Sequence, residues 1–229
     1  MSQTSFENNS LKADSLKNDS LKSSKSKVRR GAKRASYDKQ TILDILDQSL
    51  MCHVAQSIDG QPFVVPTCHW REGDYFYWHG LASARNVKNS LAQPVCINVT
   101  HLDALVMARS AMHHSVNYRS VTLFGIPEAV TDPTEKTRHL KLFLDKVSPG
   151  RWETLRPVTE QELNATGLVR IPINEASAKI RAEGPVDDEA DSEWPVWAGL
   201  IPLNKQWRGG IQDPEQNTSY KEPKRPNAF

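Results

Sequence analysis

The sequence lacks the features that mark several large classes of protein. It has no run of about 20 apolar residues that would span a bilayer, and no Gly-x-Gly-x-x-Gly turn that would hold the pyrophosphate of a dinucleotide. Its three cysteines, Cys52, Cys68 and Cys96, are an odd number placed in apolar segments. That placement favours buried free thiols over a disulfide framework, so we predict a cytoplasmic protein without a membrane span.

Positive charge exceeds negative charge only in the first part of the chain. Residues 1–34 hold nine Lys/Arg and three Asp/Glu, whereas all later residues together hold 20 basic and 24 acidic side chains. The later residues therefore offer no basic face, and we do not expect nucleic acid as a partner. Residues 1–34 also repeat Ser-Leu-Lys at intervals of five and contain few aromatic residues. We predict that they form a disordered basic tail.

The central residues alternate strand patterns with turn residues. Asp38 is expected to cap a first helix, Ser83 a short helix that runs through Leu91, and Asp132 and Thr159 two later helices. Strand patterns occupy 51–58, 62–70, 75–79, 95–108, 118–130, 168–173 and 178–182. Strands joined by hairpins, with helices at the periphery, predict a mainly β fold in which an antiparallel sheet forms a small barrel. We assign this domain to residues 35–203, and a loosely ordered tail to 204–229.

Two clusters of polar side chains lie where predicted strands begin or end. One runs from His113 to Arg119 and Ser120 and continues into an apolar strand, and the other contains Ser83 and Arg85. An Arg held at the edge of a sheet offers a forked donor to phosphate or carboxylate. Two such edges in one small domain predict that an anionic ligand binds between them.

The order of several short motifs resembles a known family. The chain is similar to the flavin-nucleotide-binding branch of the pyridoxamine 5'-phosphate oxidase-like split-barrel proteins, which includes relatives of the nitroimidazole-resistance proteins. The resemblance extends from about residue 34 to residue 203. Its carriers are Gly60-Gln61-Pro62-Phe63-Val64-Val65-Pro66-Thr67, Tyr77-Trp78-His79-Gly80, Ser83-Ala84-Arg85, Asn117-Tyr118-Arg119-Ser120-Val121, Pro149-Gly150-Arg151-Trp152 and Trp197-Ala198-Gly199.

This resemblance implies a homodimer of six-stranded split β-barrels with flavin mononucleotide (FMN) in the interface cleft. It implies that one strand lies along the flavin ring, that Ser83 and Arg85 hold the phosphate, and that a second strand reaches the flavin, often from the other subunit. The implied cofactor contacts are Val64, Val65, Pro66, Thr67, His79, Ser83, Arg85, His114, Tyr118, Arg119, Ser120 and Trp197.

The resemblance implies a class of function but not a substrate. A flavin-dependent oxidoreductase acting on a small molecule is one hypothesis, and a non-catalytic flavin carrier or sensor is the alternative. Flavin chemistry needs no protein nucleophile, so no catalytic residue is assigned. The segment Trp207-Arg208-Gly209-Gly210 matches the substrate signature of the pyridoxal-phosphate-forming oxidases poorly. We therefore do not expect a true pyridoxamine 5'-phosphate oxidase.

Histidines raise the question of a metal. Cys52-His53 and Cys68-His69 form a repeated pair, but both pairs lie in predicted strands. Neighbouring side chains of a strand point to opposite faces, so each pair offers one ligand to a shared ion. Structural zinc takes four ligands, and we predict no metal site. Some split-barrel relatives handle haem, although no motif here singles out a haem ligand.

Overall fold

Antiparallel strands form most of the molecule. The computed structural model describes residues 20–91, 93–216 and 221–226. The strands are β1 (Ala35–Ser36), β2 (Met51–Ile58), β3 (Gln61–Glu72), β4 (Tyr75–Leu81), β5 (Val95–Met107), β6 (Ser115–Gly125), β7 (Glu128–Val130), β8 (Thr166–Pro172), β9 (Ala176–Arg181) and β10 (Gly199–Pro202). The α-helices are α1 (Lys39–Asp47), α2 (Arg85–Ser90), α3 (Pro133–Val147) and α4 (Glu160–Ala165).

The sheet changes direction at β3, because the two parts of that strand pair with different strands. Its order is β1-β9-β6-β5-β2-β3-β4-β8-β7, and β10 pairs with the end of β5. The first part of β3, Gln61–Cys68, pairs with β2, whereas only His69–Glu72 pairs with β4. The predicted mainly β, antiparallel split-barrel class is confirmed.

The count of six strands that the resemblance implies is wrong, since the sheet formed by the described residues contains ten, three more than the seven strand patterns of the sequence. One reason is the single strand predicted over 118–130, which is two strands in the structure. Pro127 has no N–H to donate, and it lies in the break between β6 and β7. After the break the partner changes from β5 and β9 to β8. The two-residue β1 and the four-residue β10 also have no strand pattern of their own in the prediction.

Three of the four predicted helix caps are confirmed. The Asp38 side chain accepts a hydrogen bond from the Thr41 N–H, and Asp132 accepts one from the Glu135 N–H. Thr159 and Glu162 form a reciprocal capping box at the start of α4. Each cap satisfies N–H groups that would otherwise have no partner at a helix start. None of the described helices is long and apolar enough to cross a membrane.

Two buried histidines hold the C-terminal end of α1 against the sheet. His69 Nε2 lies 3.0 Å from the Leu46 carbonyl oxygen, and His101 Nε2 lies 3.0 Å from that of Ile45. A carbonyl can only accept, so each Nε2 carries the proton and donates. The Leu46 carbonyl also accepts from the Ser49 N–H, so the two histidine bonds fasten the last turn of α1 to the sheet. Burial lowers the pKa of His69 from 6.5 to about 3, and it lowers the pKa of His101 as well.

A second apolar layer lies outside the barrel, between the sheet and α3. Trp70, Tyr77 and Leu168 from β3, β4 and β8 form a small core that contacts Phe143 of α3. Trp70 stacks on Tyr77 with ring centroids 5.8 Å apart. The helix therefore covers the outer face of the β4 end of the sheet, while the main core fills the inside of the barrel.

The prediction that residues 1–34 are disordered is contradicted for residues 20–34. Leu21 is buried in the main core. Its N–H donates to the Tyr37 carbonyl, and its own carbonyl accepts from the Ala176 N–H. A single leucine can add apolar burial that the surrounding polar composition does not reveal. The first 19 residues of the predicted tail lie outside the described residues.

We predict that His69 makes the protein less stable in mild acid. The unfolded state binds a proton below pH 6.5 and the folded state only near pH 3, so stability is complete above 6.5 and falls as the pH decreases. Between pH 7.5 and 5, this group should lower the free energy of unfolding by about 2 kcal/mol. Urea unfolding of the wild type and of His69→Gln, which keeps a donor but does not titrate, measures the difference. Equal pH dependence of the two proteins would contradict the prediction.

Candidate functional site

The first part of β3, Gln61–Cys68, presents a free edge. On the side away from β2, no described strand pairs with Gln61–Cys68. Val64 and Pro66 are exposed there and Val65 is half-buried, while the Thr67 hydroxyl lies 3.4 Å from the His79 carbonyl oxygen. An unpaired strand edge offers N–H and C=O groups to a ligand. The edge suits a flat polar ring, which it would contact mostly through backbone atoms.

Arg85 lies beside this edge. Its Nη2 is 3.2 Å from Asp59 Oδ2 in the β2–β3 turn, and its guanidinium lies over the Phe63 ring at 5.1 Å. The Arg85 side chain is 60% exposed and that of Asp59 90% exposed, so solvent screens their attraction. Ser83 is exposed and does not cap α2 as expected, because the N-cap is Ala84 and has no side-chain bond. The structure thus brings Ser83, Arg85 and the β3 edge into one region.

Arg119 is already bound within the chain. Its Nε and Nη2 donate to the Asp103 carboxylate over 2.8–3.3 Å, and its Nη1 donates to Gln48. The hydrogen bonds to Asp103 raise the pKa of Arg119. Its neighbour Tyr118 is half-buried, and the Ser120 hydroxyl donates to the Lys179 carbonyl. The forked donor of Arg119 is therefore engaged with a carboxylate and is not presented to a ligand.

The predicted contacts do not all meet within one chain. Arg119 and its neighbours lie on β6, and β2 and β5 separate β6 from β3. His114 and Trp197 lie at the opposite end of β5 from the β3 edge, beside the start of β6 and the start of β10. His114 Nδ1 is 2.9 Å from the Ser110 carbonyl oxygen, and Trp197 is exposed. A site containing all twelve residues would need a second chain.

A cavity of about 500 Å³ lies beneath α3, beyond the small outer core. Its walls are mainly apolar and come from Leu140, Phe143, Leu144, Trp152, Leu155 and Val158. The sequence patterns did not predict it, because it forms where α3, α4 and the Trp152–Thr154 turn meet the sheet.

His79 of β4 is the histidine in the lining of this cavity. Its ring lies edge-on to Phe143 at 4.8 Å between centroids. Its Nδ1 is buried without a hydrogen-bond partner, and burial lowers its pKa. A buried polar atom without a partner destabilises the protein unless a ligand or water satisfies it. Among the predicted contacts, His79 is therefore the one whose side chain has a buried polar atom without a hydrogen-bond partner.

A third group of side chains has the spacing of a cation site. Ligand atoms of His113, Asp188 and Asp191 lie within 4.8 Å of one another. No sequence pattern predicts this group, because the two aspartates are far from His113 along the chain. Exposed carboxylates commonly gather in this way without an ion, so the geometry assigns no function.

Comparison with protein families gives one match. The family described as pyridoxamine 5'-phosphate oxidase matches residues 38–180, which is more than half of the chain. No curated protein matches the sequence.

Solved structures include two close matches. The flavocytochrome Anf3 from Azotobacter vinelandii is 42% identical, with a TM-score of 0.84 over 88% of this chain and 94% of that one. An FAD- and haem-binding protein from Mycobacterium smegmatis is 31% identical, with a TM-score of 0.79 over 83% and 94%. A putative 5-nitroimidazole antibiotic resistance protein from Bacteroides thetaiotaomicron shares the fold at 21% identity, with a TM-score of 0.54 over 64% and 86%.

We predict that Arg119 and Asp103 stabilise the fold together. Their side chains are 31% and 33% exposed, so the coupling energy in a cycle of Arg119→Ala, Asp103→Ala and the double variant should be about 0.5–1 kcal/mol by urea unfolding. The more exposed pair Arg85–Asp59 is the control, for which we expect no measurable coupling. Additive effects of the two substitutions at Arg119 and Asp103 would show that the pair is not structural.

Proposed function

The chain belongs to the pyridoxamine 5'-phosphate oxidase-like family, as its motifs predicted, and we propose that it is a flavin-binding redox protein. The observation that carries the proposal is the 42% identity, over 88% of the chain, to a flavocytochrome. The second close structure, an FAD- and haem-binding protein, supports it independently. A bound flavin would supply the electron transfer, and the protein would supply position and electrostatics.

We place the flavin along the free edge of β3, with its phosphate at Ser83 and Arg85. The donor set fits: backbone groups of Val64 to Thr67 face outward, and an exposed hydroxyl and an exposed guanidinium lie at one end. Charge-assisted bonds from Arg are well suited to phosphate. Binding would draw Arg85 away from Asp59, a loss that is small because both side chains are largely in water.

The sequence predicted FMN, and the relatives suggest a comparison with FAD. The chain has no turn for a dinucleotide pyrophosphate, which favours FMN, whereas the Mycobacterium smegmatis protein is described as binding FAD. Chromatography of the cofactor released by heat distinguishes the two. We propose haem as a second cofactor, because both close structures are described as haem proteins or flavocytochromes.

We propose oxidoreductase activity on a small molecule in preference to a flavin carrier or sensor. Steady-state oxidation of NADH or NADPH by the flavin-loaded protein, with oxygen as acceptor, tests it. Turnover above that of free flavin supports an oxidoreductase. Stoichiometric reduction without turnover would support the carrier or sensor.

We further propose a homodimer. Ile201, Leu105 and Val116 lie side by side on β10, β5 and β6 and are 48%, 44% and 37% exposed. Trp197, which precedes β10, is exposed as well. A contiguous apolar patch of this kind marks an interaction surface. A dimer through this row would bring Tyr118 to Ser120 and Trp197 of one chain towards the interface, where the flavin cleft is expected.

We predict that Arg85→Ala weakens flavin binding by one to two powers of ten. The reason is the loss of a charge-assisted hydrogen bond, which contributes about 1.5–3 kcal/mol. Fluorescence titration with FMN measures the effect. Lys88→Ala is the matched control, because it removes the same charge from an exposed position of α2. Riboflavin, which lacks the phosphate, should bind Arg85→Ala and the wild type equally. Unchanged FMN affinity of Arg85→Ala would place the phosphate elsewhere.

We predict that Leu105→Asp converts the dimer into a monomer. A charge in the centre of the apolar row would lose its hydration in the interface, which disfavours association strongly. Light scattering should report about twice the 25.8 kDa chain mass for the wild type and the chain mass for the variant. Ile126→Asp is the control, since Ile126 is also an exposed apolar residue but lies outside the row. A wild type that is monomeric while it binds flavin would refute the dimer.

A further inference from the structure

We propose that the cavity beneath α3 binds haem, with His79 as an axial ligand of the iron. The inference rests on the proposed function, and it assigns a place and a ligand to the second cofactor. It combines three features of the cavity: its size and apolar walls, an imidazole without a hydrogen-bond partner at Nδ1, and an arginine at the rim.

The cavity has the size and chemistry that a macrocycle requires. Its volume of about 500 Å³ lies within the range of small-molecule and cofactor sites. Phe143 and Trp152 offer aromatic surface, and Leu140, Leu144 and Val158 offer aliphatic surface to a flat apolar ring. Removing such surface from water favours binding.

His79 is positioned to be the ligand. It projects from β4, where its backbone pairs with Leu168 of β8 and its carbonyl oxygen lies 3.4 Å from the Thr67 hydroxyl. No described residue forms a hydrogen bond with its Nδ1. Burial lowers its pKa, and the neutral imidazole that results has a lone pair for a metal ion. Haem iron in proteins is commonly held by such a histidine.

Other buried histidines lie outside the cavity. His69 and His101 donate to carbonyls of α1 through Nε2, and the buried Nδ1 of His69, like that of His79, has no partner among the described residues. His139 accepts a hydrogen bond from Trp70 Nε1 at 3.4 Å and lies beneath Tyr77, with ring centroids 4.0 Å apart. None of the three lines the cavity. Among the described residues around the cavity, His79 is therefore the imidazole available to a bound ligand.

Arg156 offers a positive charge and hydrogen-bond donors to the haem carboxylates. It lines the cavity, and most of its side chain is exposed. Its guanidinium now contacts Glu162, with Nη1 3.0 Å from Oε2. A carboxylate of the ligand would take the place of the Glu162 carboxylate in an equivalent forked bond. The apolar ring would then lie inside the cavity, and its charged groups would lie at the rim.

The test is a titration of the purified, flavin-loaded protein with haemin, followed by its Soret absorbance. We expect saturable binding by the wild type, a loss of affinity of roughly 100-fold in His79→Gly, and recovery of the wild-type spectrum when imidazole is added to that variant. His53→Gly, which removes an exposed histidine of β2 outside the cavity, is the matched control and should bind as the wild type does. Far-ultraviolet circular dichroism reports whether each variant is folded.

Leu144→Trp provides a second test that leaves His79 intact. The larger side chain fills part of the cavity, so haem uptake should fall while flavin binding persists. Wild-type spectra and affinity in His79→Gly would overturn the inference, as would a wild type that binds flavin but not haemin, and in both cases flavin binding stands. A protein that binds neither cofactor would refute the proposed function as well.

Discussion

The change of partner along β3 is the constraint on which the rest of the structure depends. A strand has two edges, and β3 uses one edge for β2 along its first eight residues and the other for β4 along its last four. This arrangement leaves the second edge of the first part unpaired. It also directs the β4 and β8 strands into a second wall whose outer face needs a cover. The helix α3 provides that cover, and the cavity lies where the cover is incomplete.

Charged and polar groups divide into those that hold the fold and those that face a ligand. His69, His101 and Arg119 have partners inside the chain and serve its architecture. Arg85 has a weak, solvent-screened partner, and His79 has none at Nδ1. Because histidine and arginine each suit either role, only the surroundings of each side chain separate the two groups. Residue identity alone would have placed Arg119 beside Arg85.

The sequence predicted the local features well, because they depend on neighbouring residues. The caps at Asp38, Asp132 and Thr159 and most strand segments follow from short patterns. Burial of Leu21 and the ion pair of Arg119 with Asp103 depend on segments that meet only in the folded chain. Asp103 itself lies at an irregularity in the β5–β6 register, between Leu102 and Ala104. No pattern in the sequence indicates that irregularity. The cavity is a gap between elements and has no sequence signal of its own.

Leu21 also has a consequence for the order in which the fold can open. It lies in the main core, its N–H donates to the Tyr37 carbonyl, and its own carbonyl accepts from the Ala176 N–H at the start of β9. The segment around Leu21 therefore cannot leave the sheet without exposing apolar surface and breaking both bonds. A segment whose composition is typical of a tail thus belongs to the same cooperative unit as the sheet.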